Sequence, residues 1–265
     1  METGRKIAVA GATGRVGRHV VDVLESEGHE VVPISRSGGV DVVTGDGLAD
    51  ALASVECVID AATGSSPDQA AATEFFAASA RNLQEIGARA GVERIVMVSI
   101  IGIDRFTAGY SAAKLVHEQA LLAGPIPARI LRASQFHEFI EEFTEWGRQG
   151  DVISVPRMRI QPVAARAVAE EVADLASGSA GAQEAGAAIP EIAGPREERL
   201  ADLARLLAAR RGDPVRIEEI SNPDDPDHAL YETDALLPGP DAMLAGPTFE
   251  EWLDATSRET ASAKS

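Results

Sequence analysis

Aromatic side chains are scarce in this 265-residue chain: two Trp, two Tyr and seven Phe, 4% of the residues. A core with so few rings must be built from Val, Ile, Leu and Ala, which suits a parallel sheet buried by helices on both faces. Cysteine is nearly absent. The single Cys57 cannot form an internal disulfide, and its apolar surroundings in sequence mark it as a packing residue rather than a nucleophile. Positive charge is outnumbered, 24 Lys and Arg against 42 Asp and Glu, a net charge of −18. Such a surface repels phosphate backbones and argues against nucleic acid as a partner. It also makes any Arg placed where an anionic ligand would sit informative. Long apolar runs are missing: polar residues break each one well before about 18 residues, so no membrane span is expected. Met1–Arg5 lacks a signal-peptide pattern, and the expected location is cytoplasmic. No His/Cys cluster has metal-ligand spacing, so no metal is expected. No Gly-x-Ser-x-Gly elbow occurs.

What is present is an alternation. Strand-like runs at Lys6–Ala10, Glu30–Ile34, Val40–Val43, Glu56–Ala61, Arg94–Val98 and Ala128–Leu131 alternate with helical patterns. The helices run to about Glu27, then over Asp50–Ser54, Pro67–Ala90, Tyr110–Ala123 and Phe136–Arg148. This rhythm predicts an α/β fold of βαβ units, a doubly wound parallel sheet with right-handed crossovers. Ligands of such sheets lie at the carboxyl ends of the strands. After about residue 150 the rhythm weakens. Helices are expected at Ala164–Ala176, Arg196–Arg210 and Thr248–Ala255, a strand at Ile189–Ile192, and a Pro/Asp loop at Asn222–Asp227. The expected organisation is a nucleotide-binding domain over 1–155, a small C-terminal α/β lobe over 156–255 and a disordered tail over 256–265.

Gly11, Ala12, Thr13, Gly14, Arg15, Val16 and Gly17 follow the first strand and open the first helix. A pyrophosphate held there needs a tight turn, close backbone approach and free helix N-terminal N–H groups, which together predict a Rossmann-type fold. The second strand ends in Ser35-Arg36-Ser37 rather than in an acid. An acid at that point would bind the ribose 2′-hydroxyl of NAD(H); Arg36, with Arg15, would neutralise the 2′-phosphate of NADP(H). NADP(H) is therefore the expected cofactor over NAD(H).

Tyr110-Ser-Ala-Ala-Lys114 opens a helix, and its i, i+4 spacing puts phenol and ammonium on one face. A Tyr can pass a proton to a carbonyl being reduced or take one from an alcohol. A neighbouring ammonium would lower its pKa from near 10 toward the useful range, and Lys114 would also reach the nicotinamide ribose. Ser99 ends the preceding strand, where a hydroxyl would polarise the substrate oxygen.

Together, Gly11–Gly17, Arg36, Asp46, Ala61-Ala62-Thr63, Ser99, Tyr110 and Lys114 resemble the atypical and extended short-chain dehydrogenase/reductases, close to their NmrA-like NAD(P)-binding branch. The resemblance covers residues 6–137 well and the rest loosely. It implies that Asp46 lies by the adenine ring, although Asp46 also reads as a helix N-cap. It further implies that Ala61, Ala62 and Thr63 run along the cofactor and that the segment ending in Phe136 borders the nicotinamide. Gln135 and His137 would then face the substrate, His137 having a half-buried helical position as its other reading. Two departures stand out. Ser99 precedes Tyr110 by only 11 residues, and Ala133 follows Arg132 where many relatives carry Pro. The expected activity is hydride transfer between NADP(H) and a small carbonyl, alcohol or quinone. The alternative is an NADP(H)-sensing regulator that binds a protein partner. Epimerase or lyase chemistry on the same fold forms a third class. The expected partner is a small-molecule substrate, and a homodimer is compatible with the sequence.

Overall fold

A computed structural model describes residues 4–178 and 187–262. The chain divides into two compact units, Met1–Arg132 with Val168–Pro190, and Ala133–Ala167 with Glu191–Ser265. In the first unit, β1 (Lys6–Ala10), α1 (Gly17–Ser26), β2 (Glu30–Ile34), α2 (Leu48–Ala51), β3 (Cys57–Asp60), α3 (Gln69–Ala90), β4 (Arg94–Ile100), α4 (Gly109–Leu122) and β5 (Ala128–Ala133) follow in order. The strands lie as β5-β4-β3-β1-β2. β1 pairs in parallel with both β2 and β3, and β3 with β4. The strand order reverses direction at β1, so the crevice beyond the ends of β1 and β3 is the switch point where such sheets bind ligands.

Strand side chains alternate between faces. Ala8, Ala10, Val58, Ile95, Met97 and Ile130 form one core with Leu48 and Leu52 of the α2 region, Ala80 and Leu83 of α3 and Leu121 of α4. Asp60 and Ser99 continue the parity of Val58 and Met97, so Asp60 at the end of β3 and Ser99 one residue before the end of β4 lie on the face that α3 and α4 cover. Cys57 is buried, as expected, and burial pushes its thiol up to about 11, which makes it a poor nucleophile.

The second unit holds α5 (His137–Trp146), β6 (Arg148–Gln149), β7 (Val152–Pro156), β8 (Arg159–Ile160), the start of α6 (Ala165–Ser177), β9 (Glu191–Ala193), β10 (Glu198–Arg199), α7 (Leu200–Arg211), β11 (Arg216–Ile220), α8 (His228–Glu232), β12 (Met243–Leu244) and α9 (Phe249–Ser262). β7 pairs in parallel with β11 and antiparallel with β6; β8 pairs with β10 and β9 with β12.

Three local expectations are corrected. Val40–Val43 is a turn, not a strand. The Asp41 carboxylate accepts the Val43 N–H at 2.7 Å, and the Asn82 amide donates to the Val42 and Val43 carbonyls at 2.9 and 2.7 Å. Those groups are then no longer available to a strand ladder. The helix expected to reach Arg148 stops at Trp146 because a Cβ on Gly147 would lie 1.9 Å from the Ser154 carbonyl oxygen. The chain can return as β6 and β7 only with glycine there. The tail expected to be disordered from Thr256 is instead helical through Ser262, residues 263–265 lying outside the described residues. Thr248 and Glu251 form a capping box: the Thr248 N–H donates to Glu251 at 2.9 Å, and the Thr248 hydroxyl accepts the Glu251 N–H at 3.3 Å. Among the described residues no helix is long and apolar enough to cross a membrane.

Candidate active site

The loop after β1 is shaped by its glycines. Gly11 has φ +78°, and a Cβ there would lie 2.7 Å from the Ala61 carbonyl oxygen. A Cβ on Gly17 would lie 2.0 Å from the Gly11 carbonyl oxygen. The Gly11 and Ala12 N–H groups both donate to the Ile34 carbonyl, tying the loop to the end of β2. Thr13 and Gly14 are exposed. The N-cap of α1 is Val16, which offers no side-chain cap, and the first turn holds no acid. The Arg18 N–H donates to the Gly14 carbonyl at 3.2 Å and the His19 N–H to the Val16 carbonyl at 3.0 Å, but no side chain caps the helix, and its dipole favours an anion there.

Arg36 begins a 3₁₀ turn over Arg36–Gly38 and is exposed, with Ser35 Oγ accepting the Gly38 N–H at 3.2 Å. Asp46 is not a helix N-cap: that position in α2 is Gly47, and the Asp46 carboxylate accepts from the Thr44 hydroxyl at 2.8 Å. Ala61 and Ala62 follow β3, with the Ala61 N–H on the Ala10 carbonyl and the Ala62 N–H on Asp60 Oδ1 at 3.1 Å. Thr63, next in the loop, is exposed.

Tyr110 and Lys114 stand on the first turns of α4, whose Gly109 N–H is held by Gln69 Oε1 of α3 at 2.9 Å. Phe76 of α3 sits among them: the Tyr110 ring meets it edge-on at 5.6 Å and Lys114 Nζ lies 4.6 Å from its centroid. Burial pushes Tyr110 up to about 12, and the opposing, lowering influence comes from Arg15. The expectation that Lys114 lowers the Tyr110 pKa is thus not met; the lowering charge is that of Arg15 in the glycine loop. Lys114 is only 4% exposed, and burial brings it down to about 8 although Asp60 and Glu118 pull the other way. Ser99 is 2% exposed, and its hydroxyl has no hydrogen-bond partner.

Sequence reasoning missed the groups behind this pair. His117 is fully buried, stacked on Phe76 at 4.6 Å, with Nε2 2.9 Å from Asp60 Oδ2 and Nδ1 3.3 Å from Lys114 Nζ. The Nε2 approach is off the line of the ring N–H, so it is a close charge–dipole contact rather than an aligned hydrogen bond. Glu118 receives both arms of Arg132, Nε at 3.0 Å and Nη2 at 2.9 Å, and Arg132 Nη1 reaches Asp104 at 2.9 Å. The signal was there: residues 110, 114, 117, 118 and 121 recur at helical spacing, which places His117 and Glu118 on the Tyr110 face.

The remaining predicted residues belong to the second unit. Gln135 and Phe136 are half-buried and pinned beside Val163, whose N–H donates to the Gln135 carbonyl at 2.9 Å. His137 is 1% exposed, packed against Phe249 and Trp252, with Nε2 3.0 Å from the Pro247 carbonyl oxygen. Burial pushes it down to about 4. It is a core histidine, more deeply buried than its half-buried alternative. Among the described residues no group of three or more His, Cys, Asp or Glu could hold a metal ion.

The first unit's residues fit a nicotinamide dinucleotide on three observations: a glycine cradle that any Cβ would fill, an uncapped helix N-terminus and an orphaned buried hydroxyl, Ser99. Residues 11–140 match the NAD(P)H-binding family. No curated protein matches the chain. Among solved structures, a short-chain dehydrogenase/reductase superfamily protein from Agrobacterium tumefaciens with bound NAD superposes with a TM-score of 0.65 at 20% identity, over 98% of this chain and 99% of that one. The NADPH-dependent quinone oxidoreductase of Escherichia coli, complexed with NADPH, gives 0.65 at 17% over 95% and 99%. The Citrobacter sp. triphenylmethane reductase with NADP(H) gives 0.64 at 16% over 94% and 99%. At these identities the likeness is one of fold. The chain thus matches the NAD(P)H-binding family over residues 11–140 and shares its fold with these solved structures.

Proposed function

We propose that the protein is an NADP(H)-dependent oxidoreductase acting on a small carbonyl, alcohol or quinone in the cytoplasm. The observation that carries this reading is the pairing of Tyr110 with a buried ammonium one helical turn away. Burying a lysine is costly, and buried ionisable groups with perturbed pKa values cluster at functional sites. Bound cofactor would supply the hydride. Tyr110 donates its proton to the substrate oxygen as the carbonyl carbon is reduced, so that an alcohol and a tyrosinate result. The tyrosinate then regains a proton from solvent. The orphaned Ser99 hydroxyl orients that oxygen, and the positive charge of Arg15 favours the tyrosinate. Gly11–Gly17 holds the pyrophosphate. Arg36, beside the Ser35 and Ser37 hydroxyls, supports NADP(H) over NAD(H) through its charge.

The second reading is a cofactor-sensing regulator. It is favoured by one observation, that Tyr110 is pushed up to about 12 rather than down. Tyr110→Phe separates the two. An oxidoreductase loses about 10²-fold or more in turnover with NADPH affinity nearly intact. Full activity in that variant would remove Tyr110 as the proton donor, and turnover absent from the wild type across carbonyls and quinones would favour the regulator.

A further inference from the structure

We propose that Asp60 and His117 are positioning residues for Lys114, a buried carboxylate–imidazole–ammonium line that aims the lysine and supports its charge. The line crosses three elements. Asp60 ends β3 at the switch point, opposite Ala10 of β1 and Met97 of β4 in the ladder. His117 and Lys114 lie on α4, and Phe76 of α3 packs against both. Asp60, His117 and Lys114 are each no more than 4% exposed.

The contacts give the line its direction. Asp60 Oδ1 is taken by the Ala62 N–H, so Oδ2 is the oxygen that faces His117 Nε2 at 2.9 Å. An imidazole with its proton on Nε2, toward that carboxylate, has a bare Nδ1. Lys114 Nζ, which can only donate as an ammonium, lies 3.3 Å from that Nδ1. Burial and the neighbouring ammonium hold His117 in its neutral form, Asp60 pulling the other way. Burial alone would raise Asp60, but His117, Lys114 and the Ala62 N–H outweigh it and keep the carboxylate ionised. The three groups sum to zero charge, which is how a buried ammonium survives.

Among the described residues, two carboxylates act on Lys114. Asp60 on β3 and Glu118 on α4 support its charge, burial opposes it, and Arg132 of β5 neutralises Glu118. Tyr110 lies on the same helix face and also senses Asp60 and Arg15. The effect of this line on turnover rests on the oxidoreductase reading; its effect on Lys114 does not.

The chain has three lysines, Lys6, Lys114 and Lys264, so each is resolvable by ¹³C NMR of lysine-labelled, full-length, cofactor-free protein. Lys114 should titrate near 8 in the wild type. In Asp60→Asn and in His117→Leu its midpoint should fall by about one pH unit or more. His117→Gln, whose amide can donate to Asp60 and accept from Lys114, should stay at the wild-type midpoint. The alkaline limb of the kcat profile should move toward acid by the same amount in the first two variants and not in the third. A Lys114 midpoint unmoved in Asp60→Asn and His117→Leu, or displaced as far in His117→Gln as in His117→Leu, overturns the proposal. If Asp60→Asn does not fold, the His117 pair decides alone. Shifted midpoints in a wild type that turns nothing over would support the line and refute the oxidoreductase reading. Shifted midpoints with an unmoved pH profile in an active enzyme would refute the line's part in catalysis.

Discussion

Glu118→Ala tests how α4, with its Tyr110 and Lys114, is held against the sheet. The Glu118 carboxylate is 2% exposed and takes two parallel donors from Arg132, itself 8% exposed. Breaking a buried pair by deleting one partner costs about 3–5 kcal/mol, because the other charge is left uncompensated. Asp104 remains on Arg132 Nη1, but its side chain is 56% exposed, and a pair of that kind contributes at most about 1 kcal/mol. The expected loss is therefore near the lower end, about 3 kcal/mol. For a chain of this size that is a fall in Tm of about 6–12 °C. Replacing both partners, Glu118→Leu with Arg132→Met, removes the two desolvation costs together and should return stability to within about 1 kcal/mol of wild type. Urea unfolding of the two single variants and the double variant measures this directly. Turnover should not return with stability, because Glu118 is one of the two carboxylates that support the Lys114 charge. A single variant costing less than about 1 kcal/mol, or a double variant no more stable than the worse single, would refute the reasoning.

Further outcomes follow from the same structure. Gly17→Ala places a Cβ where the Gly11 carbonyl oxygen already sits, and isothermal titration should show NADPH affinity down by at least about tenfold. Arg36→Ala removes the cation proposed for the 2′-phosphate; NADPH affinity should fall about tenfold or more with NADH affinity unchanged, since a charge-assisted contact is worth about 1.5–3 kcal/mol. His137 has a folded-state pKa of about 4 against an ordinary value of 6.5, so the neutral ring is favoured by folding. Its contribution is complete above 6.5 and is lost as pH falls from there toward 4. Between pH 7 and pH 5 the wild type should lose about 2 kcal/mol more than His137→Phe in urea unfolding. Equal losses would mean that the ring is not buried neutral.

The glycine loop was legible because its signals are local. A Gly-rich turn between a strand and a helix needs no distant partner to be read, and Gly11 and Gly17 do stand where any Cβ would strike backbone. Strand and helix order followed from periodicity in β1 to β5 for the same reason. What failed depended on side chains reaching across the chain. Asn82, 39 and 40 residues away, occupies the carbonyls that made Val40–Val43 look like a strand. Gln84 donates to the Leu121 and Ile126 carbonyls and accepts the Ile126 N–H, settling how α4 passes into β5, and nothing near residue 84 announces it. The proposed site pair, Tyr110 and Lys114, was visible as spacing, but its electrostatics were not. Asp60 comes from β3, and only the packed sheet shows that His117 lies between that carboxylate and Lys114 and that Arg15 lowers the Tyr110 pKa against burial. His137 illustrates the converse, a polar residue that looked available in sequence and that Phe249 and Trp252, more than 100 residues later, enclose.

The central claim is that the first unit holds NADP(H) on Gly11–Gly17 and Arg36. Titration of the purified full-length protein with NADPH and with NADH, followed by calorimetry, tests it most directly. Saturable binding of NADPH, with NADH weaker by about tenfold or more, is the predicted result. Binding of neither nucleotide would contradict the cofactor assignment, and preference for NADH would contradict the role given to Arg36.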